Sequence, residues 1–299
     1  MTSLKTWRRL LKETLKEWQA RDVSLLASAL AYSTVFSIAP LMILIIMIAG
    51  AVFNETVAEE QIVQQMTDAV GRDAAQLMAT AIANLRIQPN NGVFQVILNL
   101  ALLAFGASNV FAQIQEALNR IWEVKPLSQR YVFHFIRKRL LSFAMIATVS
   151  FLLLVTAIGS IILTKIFSLL NQSLPQISSV WQILLWLASF AMVSTVFAAI
   201  YTILPDAEIH WRTTFIGAMI TALLFLGGQS VFGAFLHLTN IGSAYGVAGS
   251  FLIVITWIYY AAQILFLGAV FTKVFARHRR VPISPSRFAI STTDLDDED

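Results

Sequence analysis

Six stretches of this sequence are each long and apolar enough to cross a bilayer, and no other feature restricts the fold as strongly. A membrane helix needs about 20 mostly apolar residues, because the hydrocarbon core offers its backbone no partner outside the helix itself. The stretches cover residues 24–53, 92–111, 140–169, 181–204, 213–237 and 247–275, and helical pattern runs on from the second to Trp122. They lack the short alternating pattern of barrel strands. Composition agrees: 57% of the 299 residues are hydrophobic and 13% are charged, against about 25% charged in soluble domains. The expected fold is all-α, a polytopic membrane protein with six transmembrane helices. The chain has no Cys, which removes disulfides, thiolate metal sites and Cys nucleophiles.

Lys and Arg orient the spans, because cytoplasmic loops retain positive charge. Eighteen of the 21 flank one side: the N-terminal arm, the connection between spans two and three, Arg212, and the C-terminal segment. Only Arg72, Arg86 and Lys165 fall on the other side. Both termini are therefore expected in the cytoplasm. The position of these charges beside spans assigns them to topology and to anionic lipid headgroups rather than to nucleic acid. The first apolar run is too long for a cleavable signal peptide, so it is expected to remain as an anchor.

Residues 1–23 form an expected amphipathic arm. Leu4, Trp7, Leu11, Thr14 and Trp18 recur at helical spacing, with Lys5, Arg8, Arg9, Lys12 and Lys16 between them. Such a helix lies on the cytoplasmic leaflet or packs on neighbouring loops. The membrane domain then covers 24–275. Within it, residues 54–91 read as an external cap of two short helices, divided at Gly71 and closed by the turn 89–92. Residues 276–299 read as a cytoplasmic, disordered acidic tail, with the acids concentrated after Asp294.

Catalysis needs a constellation of side chains, and none is legible. His134, His210, His237 and His278 are scattered without metal-ligand spacing, and there is no Gly-rich phosphate loop. No enzyme activity, cofactor or metal is expected. What stands out is polar side chains inside apolar runs, which are costly and usually face a bundle interior or a wet cavity. The first span carries Tyr32 and several Ser and Thr before Pro40, whose missing N–H should kink the helix. The second carries Asn109, Gln113 and Glu116 on one helical face. Gln229 lies in the fifth span, and Tyr260 and Gln263 share a face of the sixth. These groups either hydrogen-bond helix to helix or line a substrate path. Their clustering on the first, second and sixth spans favours a shared polar cavity, with Tyr32, Asn109, Gln113, Glu116, Gln229, Tyr260 and Gln263 as its candidates. Glu116 can instead pair with Arg120. Gly227, Gly228, Gly233, Gly242, Gly246 and Gly249 point to close helix approach around the last two spans.

Four segments carry a family resemblance: ASALAYSTVFSIAPLMIL at 27–44, FAQIQEALNRIWEVK at 111–125, ILPDAEIHWRTTFIGAMITALLF at 203–225, and SAYGVAGSFLIVITWIYYAAQILFLGA at 243–269. Together, and in this order, they resemble the YihY/BrkB family of bacterial membrane proteins (UPF0761-type, once labelled ribonuclease BN). The resemblance implies six helices and the bacterial inner membrane. It also implies links to virulence, serum resistance and, for some members, export of envelope lipid precursors. The family commonly has an acid after Gly-Ala near the end of the last span, where this chain has Val270. Nothing in the residues supports the ribonuclease label. The expected function is an inner-membrane transporter or translocator of a lipid or envelope precursor. Membrane lipids are the expected partners, with anionic headgroups at the arm and no nucleic acid. A non-transporting scaffold of envelope machinery is the alternative, and a membrane-embedded hydrolase or ribonuclease a remote one.

Overall fold

The computed structural model describes residues 4–52, 60, 63–64, 67, 75–76, 79–80, 93–126, 178–239, 241–281, 283–286 and 289–291. Within them run the helices α1 (Leu4–Ala20), α2 (Val23–Val52), α3 (Val93–Ile121), α4 (Ser178–Ile203), α5 (Trp211–Thr239) and α6 (Ile241–His278). Four short strands accompany them: β1 (Val124–Pro126), β2 (Ala207–Glu208), β3 (Ser284–Pro285) and β4 (Ala289–Ser291). The described residues are thus all-α apart from two small strand pairs. Three helical stretches, Trp186–Ile203, Trp211–Phe235 and Leu252–His278, are long and apolar enough to cross a membrane. The expected third span, 140–169, lies outside the described residues. Of the expected cap at 54–91, the described residues are all helical and Ala75 is buried. Helix α2 is continuous across Pro40.

Helix ends are set by residues in the left-handed region. Asp22 (φ 50°) turns the chain from α1 into α2, and its carbonyl accepts the Leu25 N–H at 2.8 Å. Aspartate tolerates this region better than most side chains. Glu123 (φ 59°) and Arg280 (φ 55°) end α3 and α6. After α6, Val281 N–H donates to the Ala276 carbonyl at 3.0 Å, a Schellman closure.

Helices α5 and α6 form an antiparallel hairpin built on close contact. A Cβ at Gly217 would collide with the Thr272 hydroxyl, one at Gly268 with the Thr221 hydroxyl, and one at Gly228 with the Tyr260 hydroxyl. The two threonines donate back to their own helices, Thr221 to the Gly217 carbonyl at 2.8 Å and Thr272 to the Gly268 carbonyl at 2.7 Å. Small residues let the backbones approach, and the hydroxyls cost nothing in unmet polarity. Gly227 and Gly233, by contrast, face open space.

The arm α1 packs on α6 along one edge only. Leu10 and Thr14 are buried, and the Trp7 ring stacks on Phe271 with centroids 6.3 Å apart. Trp7, Leu11 and Leu15 are nevertheless 40%, 55% and 57% exposed, an apolar strip beside the basic face. The arm therefore packs on the bundle by one edge of its apolar stripe and leaves the other edge exposed.

One end of the bundle gathers segments distant in sequence. β1 pairs antiparallel with β4, Val124 opposite Ser291, and β2 with β3, Ala207 opposite Pro285. The Ser286 N–H donates to the Asp206 carbonyl at 2.9 Å. The structure here differs from the disordered tail expected from residue 276. α6 continues to His278, and residues 284–285 and 289–291 find open strand edges whose backbone groups they satisfy. Asp294 and the acids after it lie outside the described residues.

Candidate functional site

A groove of about 380 Å³ opens between the arm and the α5–α6 hairpin. Tyr260, Gln263, Ile264 and Leu267 line it from one face of α6, Leu224 from α5, and Leu15 and Trp18 from α1. Leu15 and Leu224 stand exposed at its rim. Within this apolar lining, Gln263 Nε2 donates to the Tyr259 hydroxyl at 2.7 Å, while its Oε1 is buried without a partner among the described residues. A tyrosine hydroxyl both donates and accepts, so turning the amide over would only exchange which end is unpaired. An unmet buried amide end costs about 1–3 kcal/mol.

Of the seven candidate path residues, Tyr260 and Gln263 share this groove and the other five lie elsewhere. Tyr32 is 71% exposed and meets the edge of Phe36 at 5.1 Å. Asn109 Nδ2 donates to Ser33 Oγ at 2.7 Å, which joins α2 to α3. Gln113 and Gln229 are half-buried, and Glu116 is exposed. Many hydroxyls of the apolar helices bond to their own backbone, as Ser28, Thr34, Ser194 and Thr202 do to carbonyls four residues earlier.

The sequence reading missed a polar junction where three of the quoted segments interlock. Asp206, 2% exposed, accepts from Gln115 Nε2 at 3.1 Å and Asn119 Nδ2 at 2.9 Å, and its N–H donates to Asn119 Oδ1 at 2.8 Å. The Trp122 indole N–H donates to the Ala269 carbonyl at 3.1 Å, and the Tyr201 hydroxyl to the Leu265 carbonyl at 2.6 Å. The available signal was an acid within the short connection between two apolar runs, where any partner must come from another segment.

A sequence profile described as Virulence factor BrkB matches residues 14–288. This chain belongs to the BrkB family. It is similar to a UPF0761 membrane protein of Actinobacillus pleuropneumoniae serotype 5b (strain L20), 25% identical over 267 residues, covering 88% of this chain and 92% of that one. A UPF0761 membrane protein of Psychromonas ingrahamii is 29% identical over 258 residues, covering 83% and 81%. YfkH of Bacillus subtilis (strain 168), whose name calls it ribonuclease-like, is 21% identical over 275 residues, covering 91% and 97%. No solved structure matches.

In this BrkB-family chain Val270 is 1% exposed and lies next to Ala269, within the core. An acid there would be buried, and valine packs instead. Charge is concentrated where the arm meets the bundle. Arg21 pairs with Glu123 and lies 3.5 Å from Glu17, Arg277 reaches Glu17 at 2.9 Å, and Lys273 Nζ lies 3.0 Å from Glu123 Oε2. Burial works to raise the Glu17 carboxyl, but Lys273, Arg277 and Arg21 overcome it and hold it below the usual 4.5. Burial opposes ionisation of Glu123 as well, and Arg21 and Lys273 lower it below 4.5.

A depressed folded value means that the ion pairs stabilise the folded state fully above the unfolded value. Their contribution is lost as pH falls below 4.5 through the lowered folded values. A spin label at exposed Lys16 should be restrained at neutral pH and gain mobility on acidification below that point. Glu17→Gln should free the label already at neutral pH. A label equally mobile throughout, in both proteins, would show that these pairs do not hold the arm.

Proposed function

We propose that this chain is a transporter of the bacterial inner membrane that moves a lipid or envelope precursor along the groove between α1, α5 and α6. The observation that carries the reading is the apolar groove itself, whose wall includes Gln263, with one end of its amide buried and unpaired among the described residues. A purely structural residue there would be better apolar, because an unmet polar group destabilises. An amphiphile with a long chain and a hydrogen-bonding group satisfies both parts of the lining. The exposed strip of Trp7, Leu11 and Leu15 beside Lys5, Arg8, Arg9, Lys12 and Lys16 suits a leaflet with anionic headgroups. The meeting of the arm with the last turn of α6, together with the bias of Lys and Arg, supports both termini on one side, in the cytoplasm. In this reading the protein carries out no catalysis and contacts no nucleic acid.

Reconstitution into liposomes with a lipid-movement assay tests this. Gln263→Leu should reduce lipid movement while the melting temperature holds or rises, since it removes a penalty of about 1–3 kcal/mol. Gln113→Leu, outside the groove, should leave movement unchanged. Movement that persists in Gln263→Leu, or that falls only in step with lost folded protein, would overturn the groove as the path. The interlock around Asp206 and Tyr201 favours a second reading, a rigid scaffold for envelope machinery. That reading would be supported by an intact protein that moves no lipid at all.

A further inference from the structure

We propose that the arm α1 is a lid on the groove, hinged at Asp22 and latched shut by its ion pairs. What the lid admits rests on the transport reading; how the arm moves rests on geometry alone. Leu15 and Trp18 form the part of the groove wall that comes from α1, and the rest comes from α5 and α6. Displacing α1 therefore takes away one wall and leaves the other standing. The arm packs chiefly on α6, with the Trp7 ring on Phe271, four residues beyond Leu267. Along α1, among the described residues, Leu10 and Thr14 alone are buried. A segment held by so few buried contacts belongs to the part of a fold that opens most easily.

The link to the bundle suits a hinge. Helical bonding of α1 ends with the Arg21 N–H on the Glu17 carbonyl at 3.0 Å and the Asp22 N–H on the Gln19 carbonyl at 3.2 Å. That of α2 begins with the Leu25 and Leu26 N–H groups on the Asp22 carbonyl. Asp22 has φ 50°, so a change of dihedral at this one residue re-aims the whole arm.

The latch opposes that freedom. Glu17 accepts from Arg277 at 2.9 Å, and Arg21 pairs with Glu123 at the end of α3. The Glu17 and Arg21 side chains are only 18% and 24% exposed, so solvent screens these pairs less than it screens pairs on open surface. Trp18 stands between Glu17 and Arg21 in sequence, so the latch holds the groove wall itself. Release into water would expose Leu10 as well as the strip of Trp7, Leu11 and Leu15. Against a bilayer the stripe stays covered, and Lys5, Arg8, Arg9, Lys12 and Lys16 meet anionic headgroups. A lipid surface is thus the partner that takes the arm when the latch lets go.

The chain has no Cys, so a single Leu267→Cys reports on the groove alone. The full chain is placed in nanodiscs of phosphatidylethanolamine and phosphatidylglycerol, and its labelling by a maleimide is timed by mass spectrometry. The labelling rate follows the open fraction when the lid moves faster than the reagent reacts. Glu17→Gln removes a charge-assisted contact and should raise the rate by about tenfold. Arg21→Gln should act in the same direction and keeps the test open if Glu17→Gln fails to fold. Val270→Cys, buried away from the groove, should stay unlabelled in every background, which separates an opened lid from a loosened fold. Equal rates at Leu267→Cys with and without the latch would overturn the lid. A second protein, with Glu17→Cys and Arg277→Cys, is bridged by a cleavable bismaleimide and assayed for lipid movement in liposomes. Bridging should stop movement and cleavage should restore it, whereas movement through the bridged protein would sink the lid as a gate. Labelling that depends on the latch, in a protein that moves no lipid in any state, would uphold the lid and overturn the transport reading.

Discussion

Asp206→Ala should lower stability by about 4 kcal/mol, read as a fall in the melting temperature of the detergent-solubilised protein. The carboxylate accepts two amide hydrogen bonds from α3, and hydrogen bonds to a charged group contribute about 1.5–3 kcal/mol each. Removing it leaves Gln115 Nε2 and Asn119 Nδ2 facing a gap at a site 2% exposed. The backbone bond from the Asp206 N–H to Asn119 Oδ1 does not depend on the side chain and should survive. Asp206→Asn keeps one acceptor and should cost about half as much. Asn119→Ala added to Asp206→Ala should cost less than the two changes separately, because they break the same bonds. A loss below about 1 kcal/mol in Asp206→Ala would mean that water already satisfies the amides and that this junction does not hold α3 to the α4–α5 connection.

The second large effect is expected from a single methyl group. Gly268→Ala places a Cβ against the Thr221 hydroxyl, with the Tyr201 hydroxyl also close, on a face where α5 and α6 have no slack. Overpacking of this kind costs about 1–3 kcal/mol, and the upper end applies because backbone must move. Thr221→Ala removes the colliding hydroxyl, so the double variant should recover more than half of the loss despite forfeiting the 3.0 Å contact with Tyr201. Gly227→Ala and Gly233→Ala meet nothing within reach and should hold or raise stability, by up to about 1 kcal/mol, because alanine is the better helix former. Equal losses at Gly227 and Gly268 would show that contact between α5 and α6 does not govern the loss at Gly268, since the reduced backbone freedom of alanine favours the helix.

Hydropathy located α2, α3, α4 and α5 to within three residues at either end, counting the continuation of the second run to Trp122, and the start of α6 to within six, because a long apolar run read at helical period leaves few alternatives. Side-chain placement was less legible, for a physical reason. Helical spacing says which residues share a face but not which face meets a neighbour. Tyr260 and Gln263 share a face and do line one groove, whereas Tyr32 turns outward and Asn109 ties α2 to α3. The glycines show the same limit. Gly228 makes the close approach expected of it, but Gly227 beside it does not, and Gly217 and Gly268 went unremarked although each stands four residues before a threonine. The ionic junction was hidden by distance along the chain. Nothing local in the sequence indicates that Glu17 will meet Arg277 or that Arg21 will meet Glu123.

That same distance gives the molecule an order in time. Synthesis runs from the N-terminus, and 260 residues separate Glu17 from its partner Arg277. The arm therefore leaves the ribosome long before α6 exists to receive Leu10, Thr14 and Trp7. β1 and β2 wait likewise for β4 and β3, which come last among the described elements. Closure of this end of the bundle is thus a late event in biogenesis, and a nascent chain cut short before residue 284 would present two unpaired strand edges and an incomplete junction to quality-control proteases.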